Sequence, residues 1–111
     1  MNILEEICNN KKEEIKFEKE KYSLKTLEKI IELKPNRGFK KLIISNNEQK
    51  KNNIIGEIKK SSPSAGIIIN EYDPIDIAKK YEKLGIGSIS VLTDKKFFGG
   101  TLDHLSQVSK N

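Results

Sequence analysis

An α/β fold with parallel strands is what the second half of this sequence predicts, on three observations. "NIIGEIKK" alternates as a strand does, with Ile54, Gly56 and Ile58 on one face and Ile55, Glu57 and Lys59 on the other. Asp73-Pro74 then opens "PIDIAKKYEKLG", a helical repeat in which Ile77, Ala78, Tyr81 and Leu84 share the buried side and Gly85 ends the run. "IGSISVLTD" follows as a second strand. A helix between two strands is the crossover that parallel neighbours require.

The remaining elements follow from the N-terminus onward. Residues 2–34 read as helix, in which Ile3, Leu4, Ile7 and Ile15 form a broken apolar stripe within a heavily charged segment. Ser23 is the expected N-cap of "LKTLEKIIELK", where Leu24, Leu27, Ile30 and Ile31 recur at helical spacing before Pro35 stops the helix. "NRGFKKLI" gives a turn and a short apolar segment, and "SNNEQKKNN" (residues 45–53) is expected to be a polar loop. Between the first strand and the Asp73 helix, "SSPSAG" reads as a turn. After the second strand, "KKFFGG" reads as a loop, and Thr101 caps a last helix with Leu102, Leu105 and Val108 on one side. The expected division is a helical extension and linker over residues 1–53 and two βα units over 54–111. Two strands leave two open edges. Such a chain either pairs with further copies of itself or begins something longer.

Composition narrows the function classes. The apolar fraction of 35% against 33% charged is lean for a self-sufficient core in a chain of 111 residues. The net charge of +5 is almost wholly lysine, interspersed with glutamate as in "KKEEIKFEKEK". A nucleic-acid binder gathers lysine and arginine on one face, often with aromatics between them, so this pattern argues against one. Cys8 has no partner for a disulfide, and no cysteine–histidine cluster suggests a metal. His104 reads as a surface histidine of the last helix. The acidic N-terminal "MNILEEICNN" lacks the basic and apolar regions of a signal peptide, and no stretch approaches a membrane span. The expected location is the cytoplasm, with no membrane and no nucleic acid among the partners.

The charges in the first strand remain to be explained. If Gly56 and Ile58 lie under helices, Glu57 and Lys59 point to the inside of a closed parallel barrel, near the C-terminal ends of the strands where such folds place their sites. A buried ion pair kept only as a layer of the core gains little, because desolvation consumes much of the attraction. In the second strand, Ile89 and Val91 share one face, and Ser88, Ser90 and Leu92 the other. With the first pair toward the helices, Leu92 becomes an apolar wall of the mouth.

At these residues the chain resembles the indole-3-glycerol phosphate synthase family. The family's Glu-x-Lys-x-x-Ser-Pro-Ser run is matched by Glu57, Lys59, Ser62, Pro63 and Ser64. "SVLTD", Phe97-Phe98 and Gly100 extend the likeness, which covers residues 54–108. The resemblance implies a (β/α)8 TIM barrel of the α/β class, without metal or organic cofactor. That barrel closes the pyrrole ring of 1-(2-carboxyphenylamino)-1-deoxyribulose 5-phosphate with loss of carbon dioxide and water. It also implies that Lys59 is a cation for the phosphorylated, carboxylated substrate and that Glu57 holds that lysine extended and charged. Ser62 and Ser64 would belong to a loop over the substrate, with Ser62 donating a hydrogen bond, and Leu92 and Phe98 would lie against the aromatic ring. A complete barrel takes roughly 250 residues, so the expectation is an N-terminal portion that is inactive by itself. The full-length form is then expected to be monomeric, with room for fusion to another tryptophan-pathway enzyme. The alternative of a different class is a small non-catalytic partner-binding protein derived from a half-barrel.

Overall fold

The computed structural model describes residues 2–111, which form two compact units. One runs to Arg37 and the other spans Gly38–Asn111. The first unit contains helix α1 (Ile3–Lys21) and helix α2 (Leu24–Glu32). Asn2 starts α1 with a capping box. Its Oδ1 accepts from the Glu5 N–H at 2.9 Å, while its own N–H donates to Glu5 Oε2. Ser23 caps α2 as its sequence position predicts, accepting from the Thr26 N–H at 3.2 Å. The stretch expected to be helical over residues 2–34 is therefore two helices, divided where Ser23 takes up an extended cap conformation. No described residue of either helix is buried.

The second unit is built around a parallel pair, β1 (Ile55–Ile58) and β4 (Ser88–Val91). Helix α4 (Pro74–Lys83) is the crossover between them. Asp73 caps that helix through Oδ1, which accepts from the Ile75 and Asp76 N–H groups, and Pro74 fills the first helical position where no N–H is needed. Helix α6 (Leu102–Lys110) follows β4 and packs beside α4. Its cap is the Thr101 hydroxyl, which accepts from the His104 N–H at 3.1 Å. The order of strand, helix, parallel strand and helix agrees with the sequence expectation.

Register fixes the faces. Gly56 pairs with Ile89 and Ile58 with Val91, so these four share the side that α4 covers. Ile58 is 1% exposed there. Gly56 lies so close under the Tyr81 ring that a Cβ would sit 2.7 Å from Cδ2. Ile55, Glu57, Ser88 and Ser90 occupy the opposite face, and Ile55 is 55% exposed. The ladder continues past β4, with the Leu92 N–H donating to the Ile58 carbonyl at 3.1 Å. Carbonyls alternate in direction along a strand. The Glu57 carbonyl therefore points to the edge away from β4, where the Tyr81 hydroxyl donates to it at 2.8 Å.

Several local expectations need correction. The polar segment 45–53 is not all loop, because helix α3 (Phe39–Glu48) runs through its first half. Asparagine disfavours helices when its side chain competes for backbone groups. Here the Asn46 and Asn47 amides are engaged with Asn53 at 3.0 and 2.9 Å, and Asn53 also donates to the Ile43 carbonyl. "KKFF" is one helical turn, α5 (Lys95–Phe98), because Asp94 accepts from the Phe97 N–H at 2.8 Å and Gly99 (φ 66°) closes it. The "SSPSAG" turn is the tip of a small antiparallel hairpin between β2 (Ser61–Ser62) and β3 (Gly66–Ile67). Leu84, expected on the buried side of α4, is the C-cap and 77% exposed, since the chain is already leaving the helix for the turn at Gly85. Leu102 and Leu105 of α6 are likewise exposed, while Val108 is half-buried. His104 is less exposed than a surface histidine would be. It is half-buried, with its ring edge-on to Tyr72 at 5.3 Å between centroids.

Candidate active site

The C-terminal ends of β1 and β4 carry the polar groups singled out in the sequence. Glu57 is the third residue of β1, and Lys59 follows the strand immediately. Period-two alternation puts both on the face away from α4, and Lys59 Nζ lies 3.0 Å from Glu57 Oε1. The lysine side chain is 34% exposed and the glutamate 51%. This is not a sealed internal pair. Its ammonium keeps a solvent-facing side, open to an anion approaching from the mouth of the strands.

The hairpin rises directly from this pair. Its base is held by the Ile68 N–H donating to the Lys60 carbonyl at 2.8 Å. At its tip the Ser62 hydroxyl oxygen accepts from the Ala65 N–H at 3.1 Å, which ties the turn and leaves the hydroxyl proton available to an acceptor. Ser64 sits at the exposed tip. Against the hairpin lies α5, and a Cβ on Gly99 would be 3.0 Å from Ser61 Oγ and 3.4 Å from the Lys60 side chain. Phe98, the last residue of α5, is half-buried. Leu92 follows β4, half-buried, and alternation sets it on the Glu57 side.

Of the six residues expected at the site, Glu57 and Lys59 are brought into direct contact. Ser62, Leu92 and Phe98 are gathered at the same end of the strands by the hairpin, the β4 ladder and α5. Ser64 is turned outward on the hairpin tip.

Other residues shape this end of the strands through contacts that the sequence reading did not assign to them. Tyr81 reaches the Glu57 carbonyl, a bond between positions 24 apart that no local pattern could announce. Gly100 is packed so that a Cβ would overlap the Leu92 carbonyl oxygen, and its N–H donates to the Asp94 carbonyl at 2.8 Å. Asp94 as the cap of α5 did have a signal, an aspartate three residues ahead of the N–H it accepts. Among the described residues, no group of three or more histidine, cysteine, aspartate or glutamate side chains is arranged to hold a metal ion. No helix among them is long and apolar enough to cross a membrane.

Parallel strands joined by a covering helix define an α/β protein. The comparisons narrow that class. The family model for indole-3-glycerol phosphate synthase matches residues 4–111, and the chain belongs to that family of enzymes.

Relatives bearing the same name come from several bacteria. The Caldanaerobacter subterraneus subsp. tengcongensis protein is 44% identical over 108 residues, covering 97% of this chain and 40% of that one. The Chlorobium luteolum protein is 39% identical, covering 98% of this chain and 41% of its own length. One from Prochlorococcus marinus is 48% identical, covering 99% and 37%. The chain thus spans about 40% of the length of the relatives it matches.

Proposed function

We propose that this chain supplies the N-terminal helical segment (residues 1–53) and the first two βα units (residues 54–111) of a (β/α)8 barrel with indole-3-glycerol phosphate synthase activity. In that assembly it acts as a carboxy-lyase. The anthranilate-derived carboxylate of 1-(2-carboxyphenylamino)-1-deoxyribulose 5-phosphate leaves as carbon dioxide, and the ketose oxygen leaves as water. The single observation carrying the reading is the half-exposed Glu57–Lys59 pair at the C-terminal end of β1. A fixed cation there binds and orients an anionic group of the substrate, and Glu57 holds it extended. The Ser62 proton, not used by the turn, is available to a substrate oxygen. Ser64 on the same hairpin contributes to closure over the substrate, and Leu92 and Phe98 supply apolar surface for the aromatic ring. The partner is a small phosphorylated molecule. The enzyme-length protein works in the cytoplasm, as a monomer or fused to another tryptophan-pathway enzyme.

The test is a chimera in which residues 4–111 replace the matching segment of the Caldanaerobacter relative. Turnover of the carboxyphenylamino substrate is followed by the appearance of the indole product. The chimera is expected to be active, and Lys59→Ala to lower kcat/KM by about a hundredfold or more with the fold intact. An active chimera that is indifferent to Lys59→Ala would end the assignment of the pair.

A further inference from the structure

We infer that Tyr81 is a positioning residue for this site: its phenol, reaching from α4, fixes the peptide that carries Glu57 and so sets where the Lys59 ammonium is presented. The inference rests on the reading of Glu57 and Lys59 as the charged pair of the site.

The geometry is specific. The Tyr81 ring lies against Gly56 at a distance that any side chain there would abolish, since a Cβ would fall 2.7 and 2.8 Å from two ring carbons. That close approach is what lets the hydroxyl extend past the strand face to its edge and donate to the Glu57 carbonyl at 2.8 Å. On the other edge, the next carbonyl, that of Ile58, accepts from the Leu92 N–H. Two successive carbonyls are thus pinned in opposite directions. The peptide between Glu57 and Ile58 has little freedom to rock, and the direction of the Glu57 side chain follows from it. This matters because the Lys59 ammonium is presented where the Glu57 carboxylate stands, 3.0 Å away, and a carboxylate as exposed as this one is not fixed by packing of its own. The orientation has to come from the backbone, and the backbone at Glu57 is held by Tyr81. Small misplacements of a catalytic group cost rate disproportionately.

The enzyme-length chimera tests this with Tyr81→Phe, which keeps the ring over Gly56 and removes only the hydroxyl. A kcat about tenfold lower is expected, with KM within about twofold and the unfolding midpoint little changed. Gly56→Ala, which displaces the ring, should lower kcat at least as much. Adding Tyr81→Phe to it should lower kcat no further, because both remove one bond. An unchanged kcat in Tyr81→Phe overturns the inference, as does an additive double variant. Lys59→Ala is the control: normal turnover there sinks the reading of the site and with it the effect of Tyr81 on turnover, whereas normal turnover in Tyr81→Phe beside a crippled Lys59→Ala overturns the positioning inference alone. The carboxyl carbon resonance of Glu57 gives a readout that needs no turnover. It should move in Tyr81→Phe while that of the exposed Asp76 stays in place, and a stationary Glu57 signal refutes the inference even if the chimera is inactive.

Discussion

The two faces of the β1–β4 pair are made by the same eight residues and obey opposite rules. One face carries Gly56, Ile58, Ile89 and Val91, lies under α4, and includes the most deeply buried apolar side chain among the described residues. The other carries Ile55, Glu57, Ser88 and Ser90 and is largely open. A sheet with one purpose would show apolar residues inside and interchangeable polar residues outside. Here the open face has an ion pair at its C-terminal end, so one face specifies the fold and the other is free of that duty. Substitutions that treat the faces differently test this division.

The largest effect is expected from Ile58→Asp. It places an unpaired carboxylate where the side chain is 1% exposed, at a cost of about 4 kcal/mol or more, and should abolish protection of the Leu92 amide in hydrogen exchange. Ile55→Asp, three positions earlier on the open face, should leave that protection within about 0.5 kcal/mol of the parent. Equal losses from both would show that the faces are not distinct.

Next in size is a contrast between glycines. Gly100→Ala should cost about 3 kcal/mol, because its Cβ collides with the Leu92 backbone and cannot be relieved by a rotamer change. At Gly66 (φ 65°) a Cβ meets nothing within 4 Å, so alanine there costs only the left-handed conformation, about 1–2 kcal/mol. Urea unfolding of the two variants separates close packing from backbone strain.

A smaller effect is expected where the alternative account of the ion pair would require a large one. If Glu57 and Lys59 were an internal structural pair, removing one partner would cost several kcal/mol. At the observed exposure, Lys59→Ala should change the stability of the 111-residue chain by less than about 1 kcal/mol. A larger loss, measured by denaturant titration, would return the pair to the fold.

The smallest effect is a pH dependence. Burial raises the pKa of the Tyr72 phenol above its ordinary value. The folded state therefore keeps that proton when the unfolded state has begun to lose it. Stability is unaffected below the ordinary tyrosine range and declines as pH rises through it toward the folded pKa. Tyr72→Phe should remove this alkaline decline. It also removes a buried hydroxyl that has no hydrogen-bond partner among the described residues, so the variant should be no less stable than the parent at neutral pH. An identical alkaline profile in parent and variant would show that Tyr72 has no part in it.

What was legible in the sequence was whatever alternation and punctuation control. The strand faces of "IGEI", the Asp73-Pro74 start, the Ser23 and Thr101 caps and the parallel order are all local consequences of period and cap chemistry, whereas Ile54, expected on the covered face, precedes the strand and is exposed. The meeting of Glu57 with Lys59 needed only the two-residue repeat of a strand. What escaped was decided by partners far along the chain. The helical state of Asn46 and Asn47 depends on Asn53, the burial of His104 on Tyr72, and the backbone at Glu57 on a tyrosine from the covering helix. Leu84, Leu102 and Leu105 misled for another reason. Helical spacing says which residues share a side, and it does not say how much of that side another element covers.

The Tyr81–Glu57 bond has a consequence for how the parallel pair can grow. Each strand has one edge without a neighbouring strand, and the two edges are chemically unequal. Along β4, the outward groups of Ile89 and Val91 carry no hydrogen bond from a side chain among the described residues. Along β1, the outward carbonyl of Glu57 is already occupied by a phenol. A carbonyl oxygen has two lone pairs, so an added strand can still dock there, but it must share the acceptor and settle around the tyrosine. Beside β4 it meets open donors and acceptors and nothing to displace. Growth of the sheet is thus directional, easier outward from β4 than from β1. The same hydroxyl that steadies Glu57 makes β1 the poorer template for an unwanted copy of the chain.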